Sequence, residues 1–470
     1  MVNVVEPDCG GFLCKLAEIS GTSVPALRLL ITVLTGYPLA LIHRYYLLGK
    51  PPAIQHVFFI TAGISLGFYN FGFDILHTTA NMLVVYFILK IIGGTIHSVI
   101  MILSFNMGYL LIGYYVTGTD SYDIVWTMPH CILVLRLSGL AFDLYDGSIP
   151  EDKLSKDSKK LALPEVPSLL EIGGYLYFPT SFLVGPQFPM RRYKDFVAGK
   201  FKEPHELLPQ CVGPALERAL YGFIYLLLYT VGSTLYSDQY ILGDIYSEKP
   251  FIQRFVELGI WAHIVLYKYI SCWLICEGSC ILIGLTYNGK DSSGQAKWDG
   301  CANVNIKLFE FAQNFSHDYI DSFNINTNFW VFQYIYKRLK FLGNKYLSQI
   351  GVLLFLSLWH GLHSGYYMCF ASEFFAVAME KDLEQILTKN RKFLEYLKQP
   401  YISEIKWVIL KIYTIVFMGP CVAPLALLSF SKWWHVYKSV YCVSPLMWVF
   451  WPIYKPLIKK IFPPEKVSTQ

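Results

Sequence analysis

Long apolar runs separated by short polar segments cover most of this chain. A helix crosses the hydrocarbon core of a bilayer with about 20 mostly apolar residues, and it satisfies its own backbone groups there. The runs that meet this requirement lie near residues 26 to 46, 54 to 71, 75 to 93, 96 to 117, 124 to 143, 215 to 236, 254 to 285, 348 to 375, 405 to 430 and 436 to 456. The pattern predicts an all-α, polytopic transmembrane helical bundle with about ten or eleven spans.

One further apolar stretch, 171 to 190, is interrupted by Gly and Pro residues. Non-helical backbone is tolerated at membrane depth only inside protein or beside a watery cavity, so we expect a re-entrant or tilted segment packed inside the protein. No Ser-, Gly- or Pro-rich linker divides the chain, and no internal repeat is visible. We therefore expect one membrane-embedded domain over 1–470, with a polar N-terminal segment (1–24) and a basic C-terminal tail (457–470).

Composition also favours lipid as the surrounding solvent. Hydrophobic residues make up 54% of the chain and charged residues 16%, whereas soluble proteins carry charge on about a quarter of their residues. The net charge of +5 is too small for this length to indicate nucleic-acid binding. Because the first residues are polar and acidic, we expect insertion through the first long helix without a cleaved signal peptide.

Charge patterning bears on how the chain lies in the membrane. The stretch 380 to 404 places apolar residues at helical spacing between charges, which predicts an amphipathic helix on the membrane surface. Basic clusters at 337 to 345 and in the C-terminal tail both favour the cytosolic side. Three apolar runs lie between these clusters. Three simple crossings would place the clusters on opposite sides of the membrane, so one of the runs cannot be a simple crossing. We expect the run 405 to 430 to divide or turn back at its sequence MGPCVAP.

Ionisable side chains inside predicted spans are costly in lipid and are therefore functional candidates. Lys90 and Asp143, near predicted helix ends, are expected to extend to the membrane interface. Arg136, Lys268 and Glu277 lie deeper, where they either pair with opposite charges, line a watery cavity or contact substrate; the sequence does not choose. The full set is Asp74, Lys90, Arg136, Asp143, Glu171, Lys268, Glu277, His360 and His363.

The cysteines and histidines do not form a recognisable metal motif. Cys272, Cys276 and Cys280 are spaced to share one helix face, where close packing is the expected role and a metal or disulfide is the alternative. His360 and His363 lie about one helical turn apart, which is half of a metal site. Zinc needs three or four protein ligands, and no further cluster lies nearby in the sequence, so we expect no metal site.

The run LLFLSLWHGLHSGYYMCF places the imidazole of His360 in the middle of a predicted apolar helix. Gly361 and Gly365 would let another backbone or a substrate approach closely. A single histidine on an apolar helix is more often a hydrogen-bonded core residue than a catalytic one, and the residues alone leave both interpretations open.

An asparagine cluster precedes this run. Asn324, Asn326 and Asn328 occupy alternate positions beside Trp330, in a segment that is polar at its start and basic at its end. Such a cluster more often caps a helix or turns a loop than stabilises a reaction intermediate. The residues alone again leave both roles open.

Taken together, these motifs resemble the membrane-bound O-acyltransferase family, in its lysophospholipid acyltransferase branch and nearest to the lysophosphatidylcholine acyltransferases. The resemblance is carried by WTMPHCILVLRLSGLAFD (126 to 143), YFPTSFLVGPQFPM (177 to 190), KWDGCANV (297 to 304), FNINTNFW (323 to 330) with the basic YKRLKFLGNK that follows, and WHGLHSGY (359 to 366). It covers nearly the whole chain, in family order.

The resemblance implies an enzyme and its site. It assigns the reaction centre to His360 and Asn324, with Asn326 and Asn328 as the neighbouring alternatives. It implies acyl-CoA as co-substrate with no bound cofactor, and the sn-2 hydroxyl of lysophosphatidylcholine or related lysophospholipids as acceptor. It also implies the endoplasmic reticulum membrane, although the tail EKVSTQ carries no retention signal. Ser364 stands where lysophospholipid members often have Pro, which bears on acceptor preference.

These residue types suit acyl transfer on chemical grounds. A hydroxyl is a poor nucleophile until a base removes its proton, and imidazole, with an ordinary pKa of about 6.5, is suited to that task. An asparagine amide can stabilise the oxyanion or orient the imidazole. Because a CoA thiolate leaves readily, direct transfer is preferred, and a covalent route through Ser357 or Cys369 is the alternative.

The basic segment after FNINTNFW is a candidate for the CoA phosphates, or it is simply charge that flanks a membrane span. Its members are Lys337, Arg338, Lys340 and Lys345. Two other functions stay open from the sequence: an acyltransferase with diacylglycerol, a sterol or a peptide as acceptor, and a lipid or ion transporter. The oligomeric state is not readable.

Overall fold

The computed structural model describes residues 11–119, 124–201 and 210–464. These residues are overwhelmingly helical and form no β-strand, only two isolated bridges, Lys290 with Ala296 and Val304 with Phe323. The predicted all-α class is therefore confirmed. Most of the predicted polar segment 1–24 is described from residue 11 onward, whereas its first ten residues and the tail beyond 464 lie outside the described residues.

Twenty-three α-helices follow one another in the described chain. Those of the N-terminal half are α1 (Phe12–Ser20), α2 (Val24–Ile42), α3 (Pro52–Phe71), α4 (Leu76–Ile92), α5 (Ile96–Thr117), α6 (Thr127–Gly147), α7 (Lys156–Leu161), α8 (Leu169–Leu176), α9 (Met190–Val197) and α10 (Val212–Leu235). Those of the C-terminal half are α11 (Asp238–Ile241), α12 (Asp244–Ser247), α13 (Phe251–Ile283), α14 (Ile306–Glu310), α15 (Ile320–Ser322), α16 (Ile325–Val331), α17 (Lys345–His360), α18 (Ser364–Leu387), α19 (Arg391–Leu397), α20 (Pro400–Leu427), α21 (Phe430–Ser439), α22 (Val443–Val449) and α23 (Trp451–Ile461).

Seven helical segments within the described residues are long and apolar enough to cross a bilayer. They are Val24–Leu47, Pro52–Ile92, Ile96–Thr117, Thr127–Gly147, Val212–Ile241, Phe251–Ile283 and Pro400–Leu427. The second of them holds both α3 and α4, joined by a tight turn at Gly72, and so matches two predicted runs. A multi-pass membrane protein is confirmed, while the total of ten or eleven spans stays a prediction.

Two predicted runs are not continuous helices. The run 348 to 375 breaks between α17 and α18, and the run 436 to 456 divides into α21, α22 and α23. The break between α21 and α22 lies at Tyr441 and Cys442, whose φ angles of 53° and 52° are outside the right-handed helical region. Hydropathy averaged over a window of residues depends only on the length and apolarity of a run, so it does not detect such breaks.

The run 405 to 430, predicted to divide, is a single helix instead. α20 continues through both Pro420 and Pro424 to Leu427. Pro424 has no N–H for the carbonyl of Pro420, but the Tyr437 hydroxyl donates to that oxygen at 2.8 Å. Because a distant side chain satisfies the orphaned carbonyl, the proline does not have to end the helix.

The stretch 380 to 404, predicted to be one amphipathic helix, is composed of three helical pieces. α18 continues into it as far as Leu387, α19 is capped by the Asn390 side chain, and α20 begins at Pro400. Asn390 accepts a hydrogen bond from the Phe393 amide, which starts a new helix where the pattern alone suggested continuity.

The chain folds as two compact units. The first comprises Met1–Gly108, Asp123–Tyr221 and Cys272–Cys301, and the second comprises Tyr109–Tyr122, Gly222–Ser271 and Ala302–Gln470. Both units draw on segments that are distant in sequence. The expectation of one domain over the whole chain stays a prediction.

In the first unit, a buried guanidinium organises the segment predicted to be re-entrant. Arg136 is 1% exposed, and among the described residues its hydrogen bonds go to neutral oxygens; pairing with an opposite charge was one of the alternatives that the sequence left open. Its acceptors are the carbonyls of Tyr175 (2.9 Å), Leu176 (3.1 Å), Ser181 (3.3 Å) and Pro186 (3.3 Å), the Ser181 hydroxyl (2.7 Å) and the Gln187 amide oxygen (3.4 Å). The stretch 171 to 190 is thus packed inside protein, as predicted.

Two acidic candidates of this unit, Glu277 and Glu171, pair with basic residues of the same unit. Glu277 pairs with the Nε of Arg218 at 3.5 Å. Glu171 closes a capping box with Ser168 at the start of α8 and pairs with Lys194 at 3.3 Å. Each carboxylate is therefore bound by this chain's own groups.

Three candidates near helix ends differ in their exposure. Lys90 is exposed near the end of α4, in line with its predicted interfacial position, and Asp74 is exposed in the turn between α3 and α4. Asp143 was predicted to reach the interface, but it is 1% exposed because α6 is buried along its length. The interfacial prediction for Asp143 is therefore wrong.

The three cysteines on α13 are free thiols rather than a disulfide. Cys276 packs in an apolar cluster with Val33 and Ile275, and Cys280 contacts the Thr180 hydroxyl at 3.2 Å. Cys272 packs against the same cluster, so the predicted packing role is confirmed for all three.

Candidate active site

The second unit carries the predicted reaction-centre residues, and His360 lies at a helix end. α17 begins after Asn344, whose side chain accepts from the amides of Tyr346 and Leu347, and it ends with His360. Gly361 follows with φ of 143°, a conformation that side-chain-bearing residues rarely adopt. The sequence placed His360 in mid-helix. That prediction is wrong because Gly361 terminates the helix immediately after it.

Aromatic rings surround the His360 imidazole. Its ring centroid lies 5.4 Å from that of Tyr366 and 5.4 Å from that of Phe370, both on α18. The side chain is half-buried, and it forms no hydrogen bond with any residue that the structure describes. The alternative of a hydrogen-bonded core histidine therefore loses its support, because a structural imidazole is normally held by such a bond.

Contacts from two other segments, α5 and the end of α20, hold the break between α17 and α18. The Tyr114 hydroxyl donates to the carbonyl of Trp359 at 2.9 Å, and the Gly365 amide donates to that of Leu428 at 3.0 Å. A Cβ at Gly365 would lie 2.0 Å from the Pro424 carbonyl oxygen. The predicted close backbone approach at Gly365 is therefore confirmed, and it brings α20 against the start of α18.

The three asparagines have different surroundings. The Asn326 amide donates to the Ala302 carbonyl and to Asn303 Oδ1, both at 3.1 Å. The Asn328 amide donates to the carbonyls of Ile320 at 2.7 Å and Phe323 at 3.0 Å. Both side chains are thus engaged in holding local structure, which is the capping and turn role that the sequence suggested for the cluster.

Asn324 differs from the other two asparagines. Its backbone is left-handed, with φ of 51° and ψ of 43°, at the residue that precedes α16. Its half-buried side chain makes no hydrogen bond within the described part of the chain. A left-handed residue costs conformational energy, and asparagine tolerates it better than most side chains do. Among the three, Asn324 alone holds an amide that the local structure does not use.

Two sequence motifs are joined through this asparagine segment. The Ile325 amide donates to the Asn303 carbonyl at 3.0 Å, and the Asn305 amide donates to that of Ser322 at 2.9 Å. The Trp330 ring then stacks on that of Phe355, in α17, at 5.4 Å with an angle of 19° between the ring planes. KWDGCANV therefore fixes FNINTNFW, which in turn packs against the helix that ends at His360.

The predicted phosphate contacts lie in the stretch from Lys337 to Lys345, the first residue of α17. Lys337 donates to the Gln333 side chain at 2.6 Å, whereas Lys340 and Lys345 are exposed. Arg338 is half-buried in the same 3₁₀ turn, Lys337–Leu342. The four cations thus share one short connection, and the two exposed lysines are the ones positioned to meet a ligand from solvent.

Other predicted groups of this unit do not form a second site. His363 is half-buried and precedes α18, with its ring 6.2 Å from that of Tyr366. No group of three or more potential metal ligands occurs among the described residues. Lys268 lies 4.9 Å from the Tyr269 ring centroid. The Ser357 hydroxyl, one of the alternative nucleophiles, donates to the Leu353 carbonyl of its own helix at 2.8 Å.

Sequence reasoning missed one ionisable residue on α18, the helix whose Tyr366 and Phe370 rings contact His360. Glu373 lies on α18 inside the run 348 to 375, so the rule that selected the other buried charges should also have selected it. It was missed because it lies near the end of that run, close to the charged stretch that follows. Tyr114 was missed as well, since no local signal connects it to a helix more than two hundred residues away.

The chain is similar to known proteins over most of its length. The model of the membrane-bound O-acyltransferase family matches residues 111–423. Lysophospholipid acyltransferase 5 of Mus musculus is 42% identical over 97% of this chain and 93% of its own length, and that of Drosophila melanogaster is 43% identical over 94% and 89%. Lysophospholipid acyltransferase 5 of Caenorhabditis elegans is 34% identical over 98% of both chains. This chain belongs to the membrane-bound O-acyltransferase family.

Proposed function

We propose that this chain is an acyl-CoA:lysophospholipid O-acyltransferase that reacylates the sn-2 hydroxyl of lysophosphatidylcholine. The observation that carries the proposal is the His360 imidazole, set at a helix break against two aromatic rings and without a hydrogen-bond partner among the described residues. The names of relatives that match nearly the whole chain support the lysophospholipid acceptor. Residence in the endoplasmic reticulum membrane is part of the same proposal.

His360 acts as the general base. It takes the proton of the acceptor hydroxyl as that oxygen attacks the thioester carbonyl of acyl-CoA. A positioned base of this kind contributes roughly 10²- to 10⁴-fold to the rate. Because no described residue holds the imidazole, its nitrogens remain available to the hydroxyl.

Asn324 stabilises the intermediate. Attack converts the carbonyl oxygen into an oxyanion, and an amide donor fixed in a site with little water stabilises such a charge by roughly 3 to 4 kcal/mol. The strained backbone of Asn324 supports a functional role, since such conformations are concentrated at active sites. Its unengaged amide distinguishes it from Asn326 and Asn328.

The acyl group passes directly to the acceptor. The carbon–oxygen bond forms on attack; the oxyanion then re-forms the carbonyl as the carbon–sulfur bond breaks, and the CoA thiolate takes the proton from the His360 imidazolium. The engagement of the Ser357 hydroxyl with the Leu353 carbonyl supports this direct route. Lys340 and Lys345, both exposed, are proposed to contact the CoA phosphates, with Lys337 and Arg338 beside them.

The experiment measures phosphatidylcholine formed by the purified protein from lysophosphatidylcholine and oleoyl- or arachidonoyl-CoA. We expect His360→Ala to lose at least about a hundredfold in kcat while its unfolding midpoint in detergent stays near that of the wild type. His363→Ala, three residues away on the other side of the break between α17 and α18, is the matched control and should retain most of the activity. Turnover by His360→Ala at the wild-type rate would overturn the base assignment. Lipid transport by wild type and His360→Ala without any acyl product would overturn the enzyme assignment.

A further inference from the structure

Glu373 is an acidic side chain that the proposed reaction does not use. It lies on α18, is half-buried, and makes no hydrogen bond or ion pair with any residue within the described ranges. Among the described residues, the ionisable side chains that interact electrostatically with Glu373 are the thiols of Cys369 and Cys421, and neither is basic. An acidic side chain at this depth is costly unless something compensates its charge.

Glu373 shares a helix face with the rings around His360. Side chains three, four and seven residues apart lie on one side of an α-helix, so Tyr366, Phe370 and Glu373 form one row. The first two contact the His360 ring. Glu373 follows Phe370 by three residues, or about 4.5 Å along the helix axis. The carboxylate therefore lies about one helical turn beyond the point where the imidazole meets α18.

A second carboxylate on the same helix, that of Glu380, has a structural role and can be compared with Glu373. Glu380, seven residues further on, accepts from the amides of Phe315 (3.0 Å) and Ser316 (2.8 Å) and from the Tyr413 hydroxyl (2.9 Å). Its charge is met by three donors of this chain. Glu373 has none of these, so a packing role does not explain its presence.

We infer that Glu373 binds the quaternary ammonium of the acceptor's choline headgroup, with Tyr366 and Phe370 as aromatic walls of the subsite. This inference rests on the proposed function, and it names Glu373 as the residue that selects acceptors with a choline headgroup. A carboxylate compensates the cation's charge, and aromatic faces attract quaternary ammonium groups. With the sn-2 oxygen at His360, the ammonium of a glycerophosphocholine lies on the order of one or two helical turns away, which is where Glu373 lies.

The test compares acceptors that differ in their headgroup charge. Acyl transfer to lysophosphatidylcholine and to lysophosphatidylglycerol, which keeps the phosphate but has no cation, is measured for the wild type and for Glu373→Gln. We expect the variant to raise KM for lysophosphatidylcholine at least about tenfold, with kcat and the KM for lysophosphatidylglycerol little changed. An equal loss with both acceptors would overturn the inference.

Two controls separate headgroup binding from folding. Glu380→Gln should lower the unfolding midpoint and reduce activity equally with both acceptors, because its donors belong to the fold. Glu373→Asp keeps the charge and should retain the preference for lysophosphatidylcholine. If Glu373→Gln does not fold, the test is the wild-type protein alone: equal kcat/KM for lysophosphatidylcholine and lysophosphatidylglycerol would overturn the inference.

A binding measurement distinguishes failure of the inference from failure of the proposed function. The probe is 2-deoxy-lysophosphatidylcholine, which has the choline headgroup but no hydroxyl to acylate. We expect it to raise the unfolding midpoint of wild type and of His360→Ala, but not that of Glu373→Gln. Such binding without any acyl transfer to lysophosphatidylcholine would refute the proposed function alone. Equal stabilisation of Glu373→Gln would refute the headgroup subsite alone.

Discussion

The Trp330 ring stacks on the Phe355 ring, with centroids 5.4 Å apart and an angle of 19° between the ring planes. This contact joins α16, which follows Asn324, to α17, which ends at His360. Trp330 is 3% exposed, so the stack lies inside the second unit. It is the packing contact that connects the two motifs of the proposed reaction centre.

Removing the stack should lower both stability and activity. Trp330→Ala removes a buried indole, and such truncations cost about 3 to 5 kcal/mol of unfolding free energy. Phe329→Ala changes the neighbouring residue, which is 44% exposed, and should change the unfolding midpoint little. Thermal unfolding in detergent and acyl-transfer rates check both variants. An unchanged midpoint for Trp330→Ala would show that the stack does not stabilise the unit.

The three asparagines should separate into one functional and two structural residues. Asn324→Ala and Asn324→Gly are both expected to lower kcat about a hundredfold, and glycine keeps the left-handed backbone without strain. A defect in the alanine variant alone would assign the effect to backbone strain rather than to the lost amide.

Asn326→Ala and Asn328→Ala should act through folding instead. Each leaves backbone or side-chain oxygens without their donor, which costs about 1 to 3 kcal/mol. The unfolding midpoint of each variant, compared with that of Asn324→Gly, is the measurement. A kcat loss confined to either of these variants at unchanged midpoint would move the oxyanion role away from Asn324.

Arg136 should be required for the fold of the first unit. Lysine cannot reproduce the fork of donors that reaches the carbonyls of Tyr175 and Pro186, so Arg136→Lys should lower the unfolding free energy by about 3 kcal/mol or more. Lys90→Ala, at an exposed position, should stay within about 0.5 kcal/mol of the wild type. A stable Arg136→Lys protein that fails only with substrate would show that the guanidinium contacts substrate after all.

Glu171 should make stability depend on pH. Burial by itself raises the pKa of Glu171, but the hydrogen bonds from Ser168 and the charge of Lys194 outweigh it, so the pKa lies below the ordinary value. A depressed pKa in the folded state means that the carboxylate stabilises the fold above its ordinary pKa, about 4.3, and less as the pH falls through the folded value.

The measurement is the unfolding midpoint of wild type and Glu171→Gln in detergent across pH 3 to 7, a range chosen around the ordinary carboxyl pKa of about 4.3. The wild type should be the more stable protein near neutral pH, and the difference should shrink as the medium becomes more acidic. A difference that grows on acidification would contradict the capping role assigned to this carboxylate.

Much of the helical architecture was predictable because apolar runs record membrane-length helices directly. The predicted runs 54 to 71 and 75 to 93 fall on α3 and α4, and 96 to 117 coincides with α5. His360 and Asn324 were nominated from local motifs, and their roles stay predictions. Glu373 could have been selected from the sequence, but the sequence could not show that no described residue is its hydrogen-bond partner, since partners come from other helices.

The sequence by itself determined the membrane environment and most helix positions, because hydrophobicity and length are local properties of the chain. Only the tertiary structure decided where helices break and which polar groups are already engaged. Gly361 ends α17 directly after His360, while α20 continues past Pro420 and Pro424, and Tyr437 donates to the carbonyl that Pro424 leaves without its helical donor. Such outcomes depend on hydrogen bonds between distant segments, and no window of neighbouring residues contains them.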